Sequence, residues 1–141
     1  MTDSEESFEE TRARAEAGDA EAQCTVGLRY GGGHGVTQDD GEAARWYRKA
    51  AEQGHAEAQV NLGFCYRSGS GVAQDDEEAV RWYRKAAEQG HPRAQYFVSS
   101  SYVTGAGVAR DPGEAEFWAR KLAEQAIKRR PGKAKPWYQF W

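Results

Sequence analysis

No stretch of the chain approaches the run of about 20 apolar residues that a membrane-spanning helix needs. The first ten residues are acidic and lack the apolar segment of a secretory signal. Together these absences point to a cytoplasmic protein with no membrane contact. Cysteine is scarce: only Cys24 and Cys65 occur. Two such residues make no disulfide framework, and free thiols in a reducing compartment are expected. His34, His55 and His91 have no second histidine or cysteine at metal-ligand spacing. The glycine-rich segments lack the Gly-Lys-Ser/Thr ending of a phosphate loop and follow helical patterns, not strands. No Ser/His/Asp or Cys/His set recurs. The expectation is a non-enzyme without cofactor or metal.

Among what is present, charge is the first feature. The chain has 141 residues, 39% hydrophobic and 29% charged, with a formal net charge of −3. That length suits one domain with its own core. The charge is uneven. Asp3, Glu5, Glu6, Glu9, Glu10, Glu16, Asp19 and Glu21 crowd the N-terminal end, while Lys128, Arg129, Arg130, Lys133 and Lys135 crowd the C-terminal end. The ends are either simply solvated, or complementary enough to favour head-to-tail contacts or to steer a charged partner.

The dominant positive feature is a 36-residue period. Trp46, Trp82 and Trp118 keep it, as do Ala22, Ala58 and Ala94; Gln23, Gln59 and Gln95; Tyr30, Tyr66 and Tyr102; and Asp39, Asp75 and Asp111. A fixed period of this length marks a stacked-repeat architecture. Cys24 and Cys65 are not equivalents on this period, which places them too far apart to pair.

Each repeat reads as helix, glycine-rich loop, helix. First helices are expected near 20–31, 56–67 and 92–103. Their apolar positions fall four, one and three apart, on one helical face: Val26, Gly27 and Tyr30; Leu62, Gly63 and Tyr66; Val98, Ser99 and Tyr102. The glycine allows a neighbouring helix to approach closely. Loops at Gly31–Gly35, Gly69–Gly71 and Gly105–Gly107 stop these helices, and Val36, Val72 and Val108 return the chain to the core. Second helices begin at Asp39-x-x-Glu42, Asp75-x-x-Glu78 and Asp111-x-x-Glu114, which have capping-box spacing. His55 and His91 fall at the N-caps of the following helices.

The expected domain is a single solenoid over 1–130: an N-terminal capping helix at 3–17, then repeats at about 19–54, 55–90 and 91–127. Residues 131–141 form a basic and aromatic tail. The third repeat departs from the pattern, with Phe117, Ala119, Leu122 and Ala126 at positions occupied earlier by Arg45/Arg81, Tyr47/Tyr83, Ala50/Ala86 and Gly54/Gly90.

The pattern Ala-x-x-x-Leu-Gly-x-x-Tyr, Gly-x-Gly-Val-x-x-Asp, Ala-x-x-Trp-Tyr-x-Lys-Ala-Ala-x-x-Gly resembles the Sel-one-like repeat (SLR), a relative of the tetratricopeptide repeat. Residues 56–90 match nearly every signature position, 20–54 almost as well, and 92–125 more loosely. The resemblance implies an all-α, right-handed solenoid of antiparallel helix pairs, with first helices lining a concave face. It also implies a bacterial adaptor that binds a protein or peptide segment. Inhibition of one enzyme or toxin, as an inhibitor or immunity protein, is the alternative; an enzyme or small-molecule binder is a more remote one. Some cysteine-rich relatives are linked to β-lactam binding, but their paired cysteines are missing here.

Candidate binding residues lie between the signature positions of the first helices: Thr25, Leu28 and Arg29; Asn61, Phe64 and Cys65; Phe97, Ser100 and Ser101. By resemblance to tetratricopeptide domains, Asn61 sits where an asparagine grips a peptide backbone. Leu28, Phe64 and Phe97 form either an apolar stripe for a partner or part of the core, with packing between repeats favoured for Leu28 and Phe64. The tail residues Trp137, Tyr138, Phe140 and Trp141 are the second candidate set. They suit a cap over the last helix, or a ligand for a groove of the same or a neighbouring chain and so a route to self-association. Least favoured is a nucleic-acid contact, which the short basic run and acidic pI oppose.

Overall fold

The computed structural model describes residues 6–128. Seven helices follow one another along the chain: α1 (Phe8–Glu16), α2 (Ala20–Gly32), α3 (Asp40–Glu52), α4 (Ala56–Ser68), α5 (Asp76–Glu88), α6 (Pro92–Thr104) and α7 (Pro112–Lys128). No strand occurs among the described residues. The principal packing is between sequence neighbours, α1 on α2 through α6 on α7. The fold is therefore an all-α solenoid, in which each unit is buried by the next. No described helix is long and apolar enough to cross a membrane.

Local signals place most of the helix ends. Asp39, Asp75 and Asp111 each accept the backbone N–H three residues on, at 3.0, 3.1 and 3.1 Å. The reciprocal half of the box is not made there. Glu42 and Glu78 turn instead to Arg45 and Arg81, the next charge on the same helical face. Only α1 closes the box, with Ser7 Oγ accepting from Glu10 N–H and Glu10 Oε2 from Ser7 N–H. Nδ1 of His55 accepts from Ala58 N–H at 3.1 Å, and Nδ1 of His91 from Ala94 N–H at 3.4 Å. At the first-helix ends Gly69 adopts a left-handed conformation, φ 75°, and its N–H returns to the Cys65 carbonyl.

The glycines inside the first helices are packing devices. A Cβ at Gly27 would lie 2.6 Å from the Tyr47 ring, and one at Gly63 would lie 2.9 Å from the Tyr83 ring. The third repeat swaps both partners together. Ser99 replaces the glycine, Ala119 replaces the tyrosine, and Ser99 Oγ donates to the Ala115 carbonyl at 2.7 Å. Trp46, Trp82 and Trp118 are all buried in the stack.

A polar ladder ties repeat to repeat. Gln23, Gln59 and Gln95 are buried, and each side-chain amide donates to a carbonyl of the preceding helix: Ala15, Ala51 and Ala87, at 3.0, 3.1 and 3.2 Å. Gln53 Nε2 then reaches the Gly18 carbonyl and Gln23 Oε1, and Gln89 Nε2 reaches the Gly54 carbonyl and Gln59 Oε1. The pattern stops at the third copy, where Gln95 Oε1 and Gln125 Oε1 are buried without a partner.

Before the first repeat α1 packs on α2. Ala15 and Thr11 are buried, and Phe8 meets the Tyr30 ring edge-on at 5.6 Å. The tail residues Trp137, Tyr138, Phe140 and Trp141 lie outside the described residues.

Candidate interaction groove

The first helices α2, α4 and α6 present a common face, and two recesses of equivalent construction open along it. Each is walled by the first and second helices of one repeat and by the first helix of the next. The recess between the first and second repeats has a volume of about 510 Å³ and is lined by Leu28, Gly31, Gly32, His34, Asp40, Ala43, Tyr47, Phe64, Cys65 and Ser70. The one between the second and third measures about 130 Å³, with Arg67, Asp76, Tyr83, Phe97, Ser100 and Ser101 among its walls.

Two changes on the period account for much of the difference, Gly31 against Arg67 and Asn61 against Phe97. Gly31 and Arg67 are equivalent positions, 36 residues apart. At Gly31 no side chain projects into the first recess. At the second, the Arg67 guanidinium lies over the Phe97 ring at 4.9 Å, and Phe97 stacks on Tyr83 at 4.6 Å with an interplanar angle of 21°. The arginine and the aromatic pair fill the space that glycine leaves open in the repeat before.

Leu28 and Phe64 do not pack between repeats as core: each is 49% exposed and forms the lip of the open recess. Cys65 is the reverse case, buried in the core cluster with Tyr47 and Leu62 and reachable only as the recess floor. Thr25 Oγ1 donates to the Glu21 carbonyl of its own helix, and Ser101 Oγ to the Phe97 carbonyl. Arg29 points away from the groove and donates to the Glu6 carbonyl at 2.9 Å, fastening the N-terminal segment. Asn61 bridges neighbouring first helices, its Nδ2 3.8 Å from Cys24 Sγ. Ser100 lines the smaller recess.

Among the contributors not legible as site residues are Tyr47, Asp40, His34, Ala43 and Ser70 at the larger recess and Arg67 at the smaller one. Tyr47 keeps the period and reads as pure core. The usable signal was the break in the period at Gly31.

Burial pushes the Cys24 and Cys65 thiols up to about 11, away from the reactive thiolate form. Burial also raises the Tyr47 phenol well above its ordinary value, and takes Tyr83 up to about 12 even with Arg67 beside it. Both cysteines are free. Among the described residues no three His, Cys, Asp or Glu side chains are placed to hold a metal ion.

Comparison with known proteins identifies this architecture. The Sel1 repeat matches three times in tandem, over residues 20–55, 56–91 and 92–126. The chain belongs to the Sel1-repeat family. A protective antigen of uropathogenic Escherichia coli displaying an SLR fold is 44% identical, with a TM-score of 0.81 over 84% of this chain. The match takes in 25% of that protein, so this chain spans about a quarter of its length. A Sel1 repeat protein from Oxalobacter formigenes is 41% identical with a TM-score of 0.78, over 86% of this chain and 95% of its own. Cysteine-rich protein B of Helicobacter pylori shares the fold, with a TM-score of 0.67 over 83% of this chain and 86% of its own, at 16% identity. Comparison with curated proteins finds no match. Sel1 repeats serve generally as protein–protein interaction modules.

Proposed function

We propose that this Sel1-repeat chain is a non-catalytic adaptor that holds a segment of another protein along its first-helix face. The carrying observation is the open recess between the first and second repeats. It is walled by Leu28, Tyr47 and Phe64 and left unfilled by Gly31 and Gly32. It has room for a large apolar side chain of the bound segment beside the Phe64 ring, together with part of that segment's neighbouring residues. Each square ångström of apolar surface so buried contributes about 25 cal/mol before the ordering cost is subtracted. The recess between the second and third repeats keeps only about 130 Å³, so an anchor residue in the larger one dominates affinity and the flanking contacts set register.

The test is selection of segments from a random peptide display library by the purified chain. Selected segments should share one large apolar position. Phe64→Ala and Leu28→Asp should each weaken their binding at least tenfold, while Arg81→Ala, on an exposed second-helix position, leaves it unchanged. Selected segments that bind Phe64→Ala and Leu28→Asp as well as the parent would refute the assignment of this recess. Failure to enrich any segment would refute the peptide-binding reading itself.

A further inference from the structure

The last described helix, α7, carries a second apolar surface that the groove does not explain. In the first two repeats, three positions of the second helix are covered by the first helix of the next repeat. They are Tyr47, Ala50 and Ala51, at 7%, 0% and 2% exposure, and Tyr83, Ala86 and Ala87, at 1%, 0% and 1%. The first set clusters with Ala58, Leu62 and Cys65 of α4, and the second with Ala94, Val98 and Tyr102 of α6. The equivalents on α7 are Ala119, Leu122 and Ala123, and no described helix follows to cover them. Ala119 and Ala123 are exposed and Leu122 is half-buried. One turn further on, Ile127 stands 75% exposed at the position of His55 and His91. All four positions are apolar, although Arg120, Lys121 and Glu124 alternate with them on the same helix. A helix end with nothing to cover it is expected to be polar in a solenoid. This one retains the composition of a buried seam.

The sequence supplies an occupant of matching chemistry next to the face. Residues 129–136 are a basic, proline-containing connector, and Trp137, Tyr138, Phe140 and Trp141 follow. Eight connector residues reach up to about 26 Å when extended. The face runs only about 12 Å along α7, from Ile127 back to Ala119, at 1.5 Å per residue. A short tether holds the aromatics at high effective concentration over the adjacent surface. Tyr138 is also 36 residues beyond Tyr102, so it continues the tyrosine series of the first helices in register. In that series, Tyr66 packs against the core cluster of the preceding repeat.

We infer that residues 137–141 fold back in cis over the α7 face formed by Ala119, Leu122, Ala123 and Ile127. The tail stands where the first helix of a fourth repeat would lie.

The experiment combines mass, melting and a direct contact measurement on the full chain, with a chain ending at residue 130 as the comparison. Light scattering should give a monomer for the full chain, and nuclear Overhauser contacts should join the Ile127 methyls to the rings of Trp137, Phe140 or Trp141. Removing residues 131–141 should lower the melting temperature by about 4 °C, the shift expected for loss of a modest apolar contact in a domain of this size. Ile127→Asp lies on an exposed side chain and leaves the fold intact. It should lower the melting temperature of the full chain but change that of the shortened chain by no more than about 1 °C, because its partner is already gone. Equal effects of Ile127→Asp in both backgrounds would overturn the proposal. So would a dimer that dissociates on truncation, which places the tail on a second copy, or ring contacts to Leu28 and Phe64, which place it in the groove.

Discussion

Replacing Gly63 with alanine probes the closest helix approach in the middle of the stack. The added methyl would stand 2.9 Å from Cδ1 and Cε1 of Tyr83 and 3.2 Å from the Ala79 carbonyl oxygen. Tyr83 has no room to retreat: it is 1% exposed and stacked on Phe97. Overfilling a closed site costs roughly 1–3 kcal/mol, and the better helix propensity of alanine offsets about 1 kcal/mol of that. The net expectation is a loss of about 1 kcal/mol, or about 4 °C in melting temperature for a domain of this size. The decisive comparison adds Tyr83→Ala. With the ring gone only the Ala79 carbonyl oxygen, at 3.2 Å, still presses on the methyl, so Gly63→Ala in that background should stabilise by up to about 1 kcal/mol. Urea unfolding of the parent, both single variants and the double variant gives the coupling directly, expected at about 2 kcal/mol. If the two substitutions add to within about 0.5 kcal/mol, the ring does not constrain position 63 and the packing argument fails. The third repeat already carries a related pair, Ser99 with Ala119.

Other outcomes follow from the same geometry. Gln59→Leu removes one donor to the Ala51 carbonyl, which keeps the Gly54 N–H, and one of two acceptors used by Gln89, which keeps the Gly54 carbonyl, so unfolding free energy should drop by about 1 kcal/mol in urea titrations. Gly71→Ala should cost at least about 2 kcal/mol, since φ is 75° and a Cβ there would collide with the backbone carbonyl of Asp40; thermal melts measure it. Cys24 and Cys65 have folded pKa values raised to about 11 from an ordinary 9.0. The folded state therefore holds protons that the unfolded chain releases, and stability should fall as pH rises from about 9 through 11. Below pH 9 these thiols contribute no pH dependence. At pH 8 they should resist a thiol reagent until denaturant is added, and full labelling of the native chain within minutes would contradict their burial.

The helices were readable because each boundary carries its own local chemistry. Asp39, Asp75 and Asp111 cap, the glycine loops stop, and the tryptophan period fixes the spacing. The expected first helices end one residue short of those observed, since Gly32, Ser68 and Thr104 still complete the last turn. The role of Gln23, Gln59 and Gln95 was not readable. Their period was evident, but which carbonyl a buried amide meets depends on how one repeat sits on another. The groove was half readable for the same reason. Spacing placed Leu28, Phe64 and Phe97 on one face, yet spacing cannot tell a lip from a core. Arg29 shows the limit most clearly: it lies in the candidate stretch but reaches back to Glu6, 23 residues earlier, a contact set by α1.

The glutamine ladder gives the molecule a stiff end and a soft end. Gln53 and Gln89 each tie the first-helix glutamine of their own repeat to the carbonyl just before that repeat, Gly18 or Gly54, whereas the third copy leaves Gln95 Oε1 and Gln125 Oε1 without partners. A stack with nearest-neighbour cohesion opens from its weaker terminus. Amide protons of α6 and α7 should exchange ahead of those of α2 to α4. The open recess lies on the slow-exchanging side, so a segment docking there meets a surface already formed and loses little affinity to ordering it.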